Sequence, residues 1–145
     1  MPSLNRSLNV IGRCAALFRA ERLTDTGIDP YNYFYLIYIC RNPGTSQDAL
    51  ARALYVNKSS VTRHLTHLDQ AGFLTRTPDP NDRRVLLLHP TDKAREVLPF
   101  LREISGDWKN ALTAGFTTEE TAQFESLLAR AFENAIRAVD GEVDA

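Results

Sequence analysis

The chain has 145 residues, 43% of them hydrophobic, and 17 Lys and Arg against 18 Asp and Glu give a formal charge of −1. That length fits a single compact domain with helical extensions, and the hydrophobic content is too high for a disordered chain. No apolar run approaches the ~18 residues of a membrane span, and the start, MPSLNRSLNV, lacks the apolar core of a secretion signal, so a cytoplasmic protein with no membrane partner is expected.

In the first segment Leu4, Leu8, Ile11, Ala15 and Phe18 recur at spacings of four and three, one face of a helix. Thr26-Gly27 breaks it. Asp29-Pro30 starts a second helix, with Asp as N-cap and Pro in the first helical position. Tyr31, Phe34, Tyr35 and Tyr38 follow at helical spacing with Leu36, Ile37 and Ile39 between them, so this helix is apolar nearly all round and expected to be buried. Asn42-Pro43-Gly44 ends it. A short helix follows over Gln47 to Tyr55, capped by Thr45 or Ser46 and facing inward with Leu50, Ala51 and Leu54. Val56-Asn57 is a tight connection, and Asn57 caps a further helix that stops at Gly72. There the period changes. Phe73–Thr77 and Val85–His89 read as two strands, with Pro78–Asp82 as the turn between them. Thr91 then caps a long helix through Val97, Leu101, Ile104, Trp108 and Leu112, which Pro99 and Gly106 are expected to interrupt, with a bend near Pro99. Thr117-Thr118-Glu119-Glu120 is a capping box. It opens a last helix that presents Phe124, Leu127, Leu128, Ala131, Phe132, Ala135, Ile136 and Val139. The predicted fold class is mainly α with a small β-hairpin.

Net charge hides an uneven distribution. Between Ser46 and Arg95 there are eight Lys and Arg against five Asp and Glu, so a basic middle lies between acidic ends. Such a layout suits a local anionic partner. Wound at ~100° per residue, the helix after Asn57 turns Val61, Leu65 and Leu68 into one narrow sector that must face the core. The opposite side holds Ser59, Ser60, Arg63, Thr66, His67 and Gln70, with Thr62 on the flank and no carboxylate. These side chains hydrogen-bond base edges and phosphates. Lys58-Ser59-Ser60 in the first turn adds a positive charge and free backbone N–H groups suited to a phosphate. A short helix, a tight turn and a second helix with such a face make a helix-turn-helix, and the hairpin with Arg83 and Arg84 at its tip makes a wing. The helix would enter the major groove and the wing would lay an arginine along the minor groove. Asp82 is placed to hold a guanidinium through a fork-like pair.

The stretch from Ser46 to Leu98 resembles the winged helix-turn-helix of the MarR family of bacterial and archaeal transcription regulators. The matching features are Leu50-Ala51, Val61-Thr62-Arg63, Leu68 through Gly72-Phe73-Leu74, the wing signature Asp82-Arg83-Arg84, and Thr91. The order of the flanking helices fits as well. The resemblance implies one MarR-like domain over residues 1–145, with a DNA-binding lobe at 30–91 and helical dimerisation regions at 1–24 and 92–140. It implies a homodimer on an inverted-repeat operator in double-stranded DNA, acting as a repressor. Thr62 and Arg63 would contact bases, and Asn57, Lys58, Ser59 and Ser60 phosphates or groove edges. Arg84 would read the minor groove with Asp82 as its brace, and Arg83 would contact phosphate. The family's effector pocket places Tyr31, Tyr35 and Tyr38 as candidate contacts for a small phenolic or other aromatic effector, with plain core packing as the competing role. The sequence departs from the family pattern at Pro90 and Ala94, which implies a local change where the wing joins the next helix.

His64 and His67 stand three apart, but His64 falls near the core edge, His67 points outward, and no third ligand is close in sequence, so no metal is expected. Cys14 reads as a small helix-packing residue. The alternative, a redox-responsive regulator using Cys14, lacks a basic cluster beyond Arg13 to stabilise a thiolate. No nucleophile elbow, phosphate-binding glycine loop or paired-carboxylate motif points to an enzyme or a cofactor. A winged helix used only for protein contacts is the remaining alternative, and it would not require a basic, acid-free face with wing arginines.

Overall fold

A computed structural model describes residues 1–141. Its elements run α1 (Leu4–Arg22), α2 (Asn32–Arg41), β1 (Thr45–Ser46), α3 (Gln47–Leu54), α4 (Lys58–Gln70), β2 (Leu74–Pro78), β3 (Leu86–Pro90), α5 (Asp92–Leu112) and α6 (Thr118–Asp140). Six helices and a small antiparallel sheet are thus present, and the mainly α class with a β-hairpin wing holds.

The caps explain why the helices start where they do. The Asp29 carboxylate accepts from the backbone N–H groups of Tyr31 (2.8 Å) and Asn32 (2.7 Å). Ser46 accepts from Ala49 at 3.1 Å, which settles the choice between Thr45 and Ser46. Asn57 accepts from Ser60 at 2.8 Å and Thr117 from Glu120 at 3.1 Å. At the far end of α4, Gly72 takes φ +83°, a left-handed conformation that favours glycine just past a helix. Thr91 Oγ1 donates to the Gly72 carbonyl and Lys93 Nζ to that of Ala71, closing off the helix end.

The chain divides into two compact units, Met1–Trp108 and one beginning at Lys109. The first has a continuous core of Leu36 and Ile39 from α2, Leu50 from α3, Leu65 and Leu68 from α4, Leu88 from β3, and Leu101 and Ile104 from α5, all fully buried. The Tyr33 hydroxyl donates to the Leu101 carbonyl (2.8 Å) and also meets Ser105 Oγ, tying α2 to α5. The unit beginning at Lys109 holds α6, which buries none of its described side chains. There Phe116 and Phe124 meet edge to face at 5.8 Å, and Lys109 pairs with Glu125 at 2.5 Å.

Four local expectations need correction. A third strand, β1, pairs with β3 through Thr45–Leu88 and Ser46–Leu87, giving the order β1-β3-β2; two residues leave no alternation to detect. The wing strands lie one residue later than expected, with Leu74 opposite Pro90 and Pro78 opposite Leu86. α5 runs unbroken from Asp92 to Leu112 through Pro99 and Gly106. Burial of Ala94, Leu101 and Ile104 on both sides of the exposed Pro99 holds it helical despite the lost hydrogen bond. Finally, α2 is not buried all round: Phe34 remains 47% exposed and Tyr31, just before the helix, 64%.

Candidate nucleic-acid interface

Burial of Val61, Leu65 and Leu68 fixes the rotation of α4 about its axis, so the opposite side is turned outward. The preceding turn is tight because Tyr55 takes φ +55° and ψ +48° and the Val56 N–H donates to the Ala51 carbonyl. A left-handed conformation is unusual for a side chain other than Gly, Asn or Asp. It lets α3 hand over to α4 within three residues.

On the outward side the predicted residues differ in exposure and in partners. Arg63 and Thr62 are exposed, and Arg63 carries no ion pair among the described residues. Thr62 Oγ1 donates to the Lys58 carbonyl (3.0 Å) and Ser59 Oγ to Asn57 Oδ1 (2.8 Å), which directs both hydroxyl protons inward and leaves the oxygens free to accept. Lys58 is exposed but pairs with Asp48 of α3 at 3.4 Å. Ser60 and Thr66 are half-buried on the flanks. His67 is exposed, yet its ring is not free: the Asn32 side-chain amide donates to its Nδ1 at 2.6 Å. The outward-pointing reading of His67 therefore holds only for the other edge of the ring.

The wing is braced as its sequence implied. Arg84 donates from Nε to Asp82 Oδ1 (3.1 Å) and from a terminal nitrogen to Oδ2 (3.4 Å), and the Arg84 backbone N–H also reaches Oδ1. This guanidinium holds the Asp82 carboxyl below the usual carboxylate range. Arg84 keeps 92% of its side chain in solvent. Arg83 is exposed and unpaired among the described residues. Backbone bonds from Asp79 N–H to the Val85 carbonyl and from Val85 N–H to that of Asp82 close the tip. A second brace was not foreseen. Arg76 of β2 donates twice to Asp69 Oδ2 (3.2 and 3.0 Å), fastening the wing to the end of α4. The carboxylate on α4 is thus consumed away from the outward face, as is the arginine on the wing strand.

The reading of sequence missed three positioning residues: Asp48, Arg76 and Asn32. Asn32 is the sole fully buried polar residue among those described and touches two rings of α4. Its signal was an amide in an otherwise apolar run.

The tyrosines assigned to an effector do not come together. A groove of about 820 Å³ between α1 and the start of α2 is lined by Leu8, Gly12, Arg13, Ala16, Arg19, Tyr31 and Phe34. Tyr31 is the one of the three in it; Tyr35 is buried with its ring 4.9 Å from that of His64, and Tyr38 is half-buried against the core. Burial pushes the Tyr35 phenol up from its ordinary value, against the pull of Arg63. In the groove the Arg19 guanidinium lies 4.6 Å from the Phe34 ring centre, and its Nε donates to the Pro30 carbonyl. Cys14 is exposed on α1 and not packed within the chain, while burial raises the thiol pKa of half-buried Cys40. No helix of the described residues is long and apolar enough to cross a membrane.

The model of the MarR family matches residues 29–86, the stretch that holds α2 through β2 and ends at the first residue of β3. The chain is 29% identical to the uncharacterized HTH-type transcriptional regulator YybA of Bacillus subtilis, over 94% of this chain and 91% of that one. It is 32% identical to a protein named for regulation of the hcr operon in Thauera aromatica, covering 81% of this chain and 72% of the other. Its fold superposes with a TM-score of 0.80 on a mutant MarR from E. coli crystallised with operator DNA, at 26% identity over 88% of this chain and 92% of that one.

Proposed function

The chain belongs to the MarR family of transcription regulators and is a DNA-binding protein, not an enzyme; on that premise we propose that it works as a homodimeric repressor on an inverted-repeat operator and is released by a small aromatic effector. One observation carries the assignment of the surface. On the outward side of α4 and at the wing tip, Arg63, Arg83 and Arg84 stand exposed, and the carboxylates nearby are placed as braces, not as neutralising partners of Arg63 or Arg83. Arg63 and Thr62 would read bases in the major groove, and Asn57, Lys58, Ser59 and Ser60 would hold phosphates. Thr66 and the free edge of His67 border that footprint. Arg84, held by Asp82, would enter the minor groove, and Arg83 would meet a phosphate.

The dimer follows from apolar faces with nothing against them. Leu4, Leu8 and Leu17 of α1 are 74%, 53% and 72% exposed, and Leu127, Phe132 and Val139 of α6 are 59%, 64% and 69%. Exposed apolar patches of this kind mark interaction surfaces. A second copy offers the same faces by symmetry. Two recognition helices must then lie ~34–36 Å apart to enter successive major grooves. An effector in the α1–α2 groove that favours another spacing shifts the dimer off DNA by no more than its differential affinity for the two states.

Selection of bound fragments from the source genome with the purified dimer tests this. Enrichment of one inverted repeat, with affinity that falls steeply with salt, is expected. A folded dimer with no salt-sensitive affinity for any duplex would leave the competing protein-docking role.

A further inference from the structure

Asn32 sits where α2 meets α4, with no solvent exposure. Its amide lies between two imidazoles one turn apart on the recognition helix. Nδ1–H of His64 donates to Oδ1 at 2.5 Å, and the amide nitrogen donates to Nδ1 of His67 at 2.6 Å. The groups around this bridge are known. The Tyr35 ring lies 4.9 Å and the Tyr31 ring 6.3 Å from that of His64. Of the charged and titratable groups that act on His64, Asp29 at the start of α2 raises its pKa, while Arg63 and His67 on α4 lower it.

We propose that Asn32 is a positioning residue for the recognition helix, and that its bridge to His64 and His67 requires at least one neutral imidazole, which makes operator affinity fall when both rings are charged. The proposal rests on the reading of α4 as the DNA-contacting helix. The argument is one of counting donors. A carboxamide facing two ring nitrogens supplies one acceptor and one donor. It is satisfied when one Nδ1 carries a proton and the other does not. A first proton on His64 goes to its Nε2 and leaves the bridge as it is, while one on His67 Nδ1 is accommodated when the amide turns over and the His64 proton moves from Nδ1 to Nε2, so that His64 Nδ1 becomes the acceptor. Desolvation by burial holds His64 below the ordinary imidazole value. A second proton leaves an N–H pointing at an NH2. The contact then opens at the fully buried carboxamide, where an unpaired polar group is costly. His67 lies four residues from Arg63, one turn along the same face, so a displaced helix misplaces the arginine that reads bases.

The test uses the full-length protein and a duplex selected by the protein itself, with dissociation constants measured at constant ionic strength from about pH 7.5 to about pH 5, the range in which imidazoles charge. Added positive charge near phosphates strengthens binding in acid for any variant, so the informative quantity is the ratio of the two constants compared between proteins. Asn32→Asp replaces the amide by a carboxylate that accepts from two protonated rings. The acid-to-neutral ratio is expected to be about tenfold larger for the wild type than for Asn32→Asp, the cost of about one base contact. Equal ratios overturn the proposal. Imidazole 15N spectra of the wild-type protein near pH 7.5 give a readout that mere packing would not move. One Nδ1 protonated and one bare is expected; the same state at both overturns it. Should Asn32→Asp fail to fold, those spectra decide alone. A wild type that binds no duplex at any pH overturns the DNA-binding reading of α4 and this proposal with it.

Discussion

The lobe from α2 to β3 and the flanking helices α1 and α6 solve the same chemical problem in opposite ways. In the lobe, polar side chains are answered within the chain: Arg76 by Asp69, Arg84 by Asp82, Lys58 by Asp48, and two histidines by Asn32. Most of its apolar side chains are buried or half-buried. Along α1 and α6 many of the apolar side chains are left open, and α6 fully buries none of those described. A surface of satisfied polar groups with a few unneutralised arginines suits a partner that is polar and anionic. A surface of bare leucine and phenylalanine suits one that is apolar, and a second copy of the chain is such a partner. The contrast is the reason for proposing two different partners for two parts of one chain.

The largest effect is expected where the apolar faces are broken. Leu128→Glu with Phe132→Glu places charge on the open face of α6, at positions 45% and 64% exposed that no intrachain packing requires. Helix content should survive. The protein is expected to run as a monomer in analytical ultracentrifugation, and operator affinity to fall by roughly 10²-fold or more, the avidity lost when two linked sites become one. A double variant that remains dimeric would remove α6 from the interface and weaken the contrast at its root.

Next come two arginines that the lobe turns outward, Arg63 without a partner and Arg84 on its Asp82 brace. Arg63→Ala is expected to cost about 1–3 kcal/mol of operator binding and to relax preference at one base position. Arg84→Ala is expected to act at the flanks of the operator, where minor-groove width matters, and to leave the central preference unchanged. A fragment-selection profile for each variant distinguishes the two. If both lose affinity equally on every sequence, these residues are phosphate contacts and the division into base reader and groove reader fails.

How much of this was legible beforehand depended on the range over which each signal acts. Asn57 as a cap, Gly72 as a stop and the inward sector of Val61, Leu65 and Leu68 are decided within a turn or two of helix, and the sequence displayed them. The Arg84–Asp82 fork spans two residues and was equally visible. The residues missed act across distance: Asn32 meets His64 and His67 from more than thirty residues away, and Asp48 reaches Lys58 from another helix. No local period encodes such pairs. β1 was missed for a different reason, since two residues made into a strand by their partner Leu87–Leu88 carry no pattern of their own. The α1 stripe was read correctly as a face, but its division was not. Ala15 and Phe18 pack on the chain while Leu4, Leu8 and Ile11 do not, because the periodicity of a helix is silent about where its neighbour ends.

The smallest predicted effects come from the cation that already has a partner. Lys58→Ala should weaken binding uniformly across sequences and lower the salt slope by about one, because one phosphate contact is lost. Asp48→Asn should do the reverse for affinity. Lys58 and Asp48 are both well exposed, so their pair is worth at most about 1 kcal/mol, and it must be shared or broken before the ammonium reaches a phosphate. Removing the carboxylate spares that step, so binding is expected to tighten by a few-fold on specific and random DNA alike. Stability moves the other way. Asp48 lies in the first turn of α3, where a negative charge favours the helix N-terminus by about 0.3–1 kcal/mol. A thermal melt slightly lowered alongside affinity slightly raised is the expected signature, and the tightening should vanish in the Lys58→Ala background. Tightening that persists there would mean that Asp48 acts on the DNA by simple repulsion, with no part in holding Lys58.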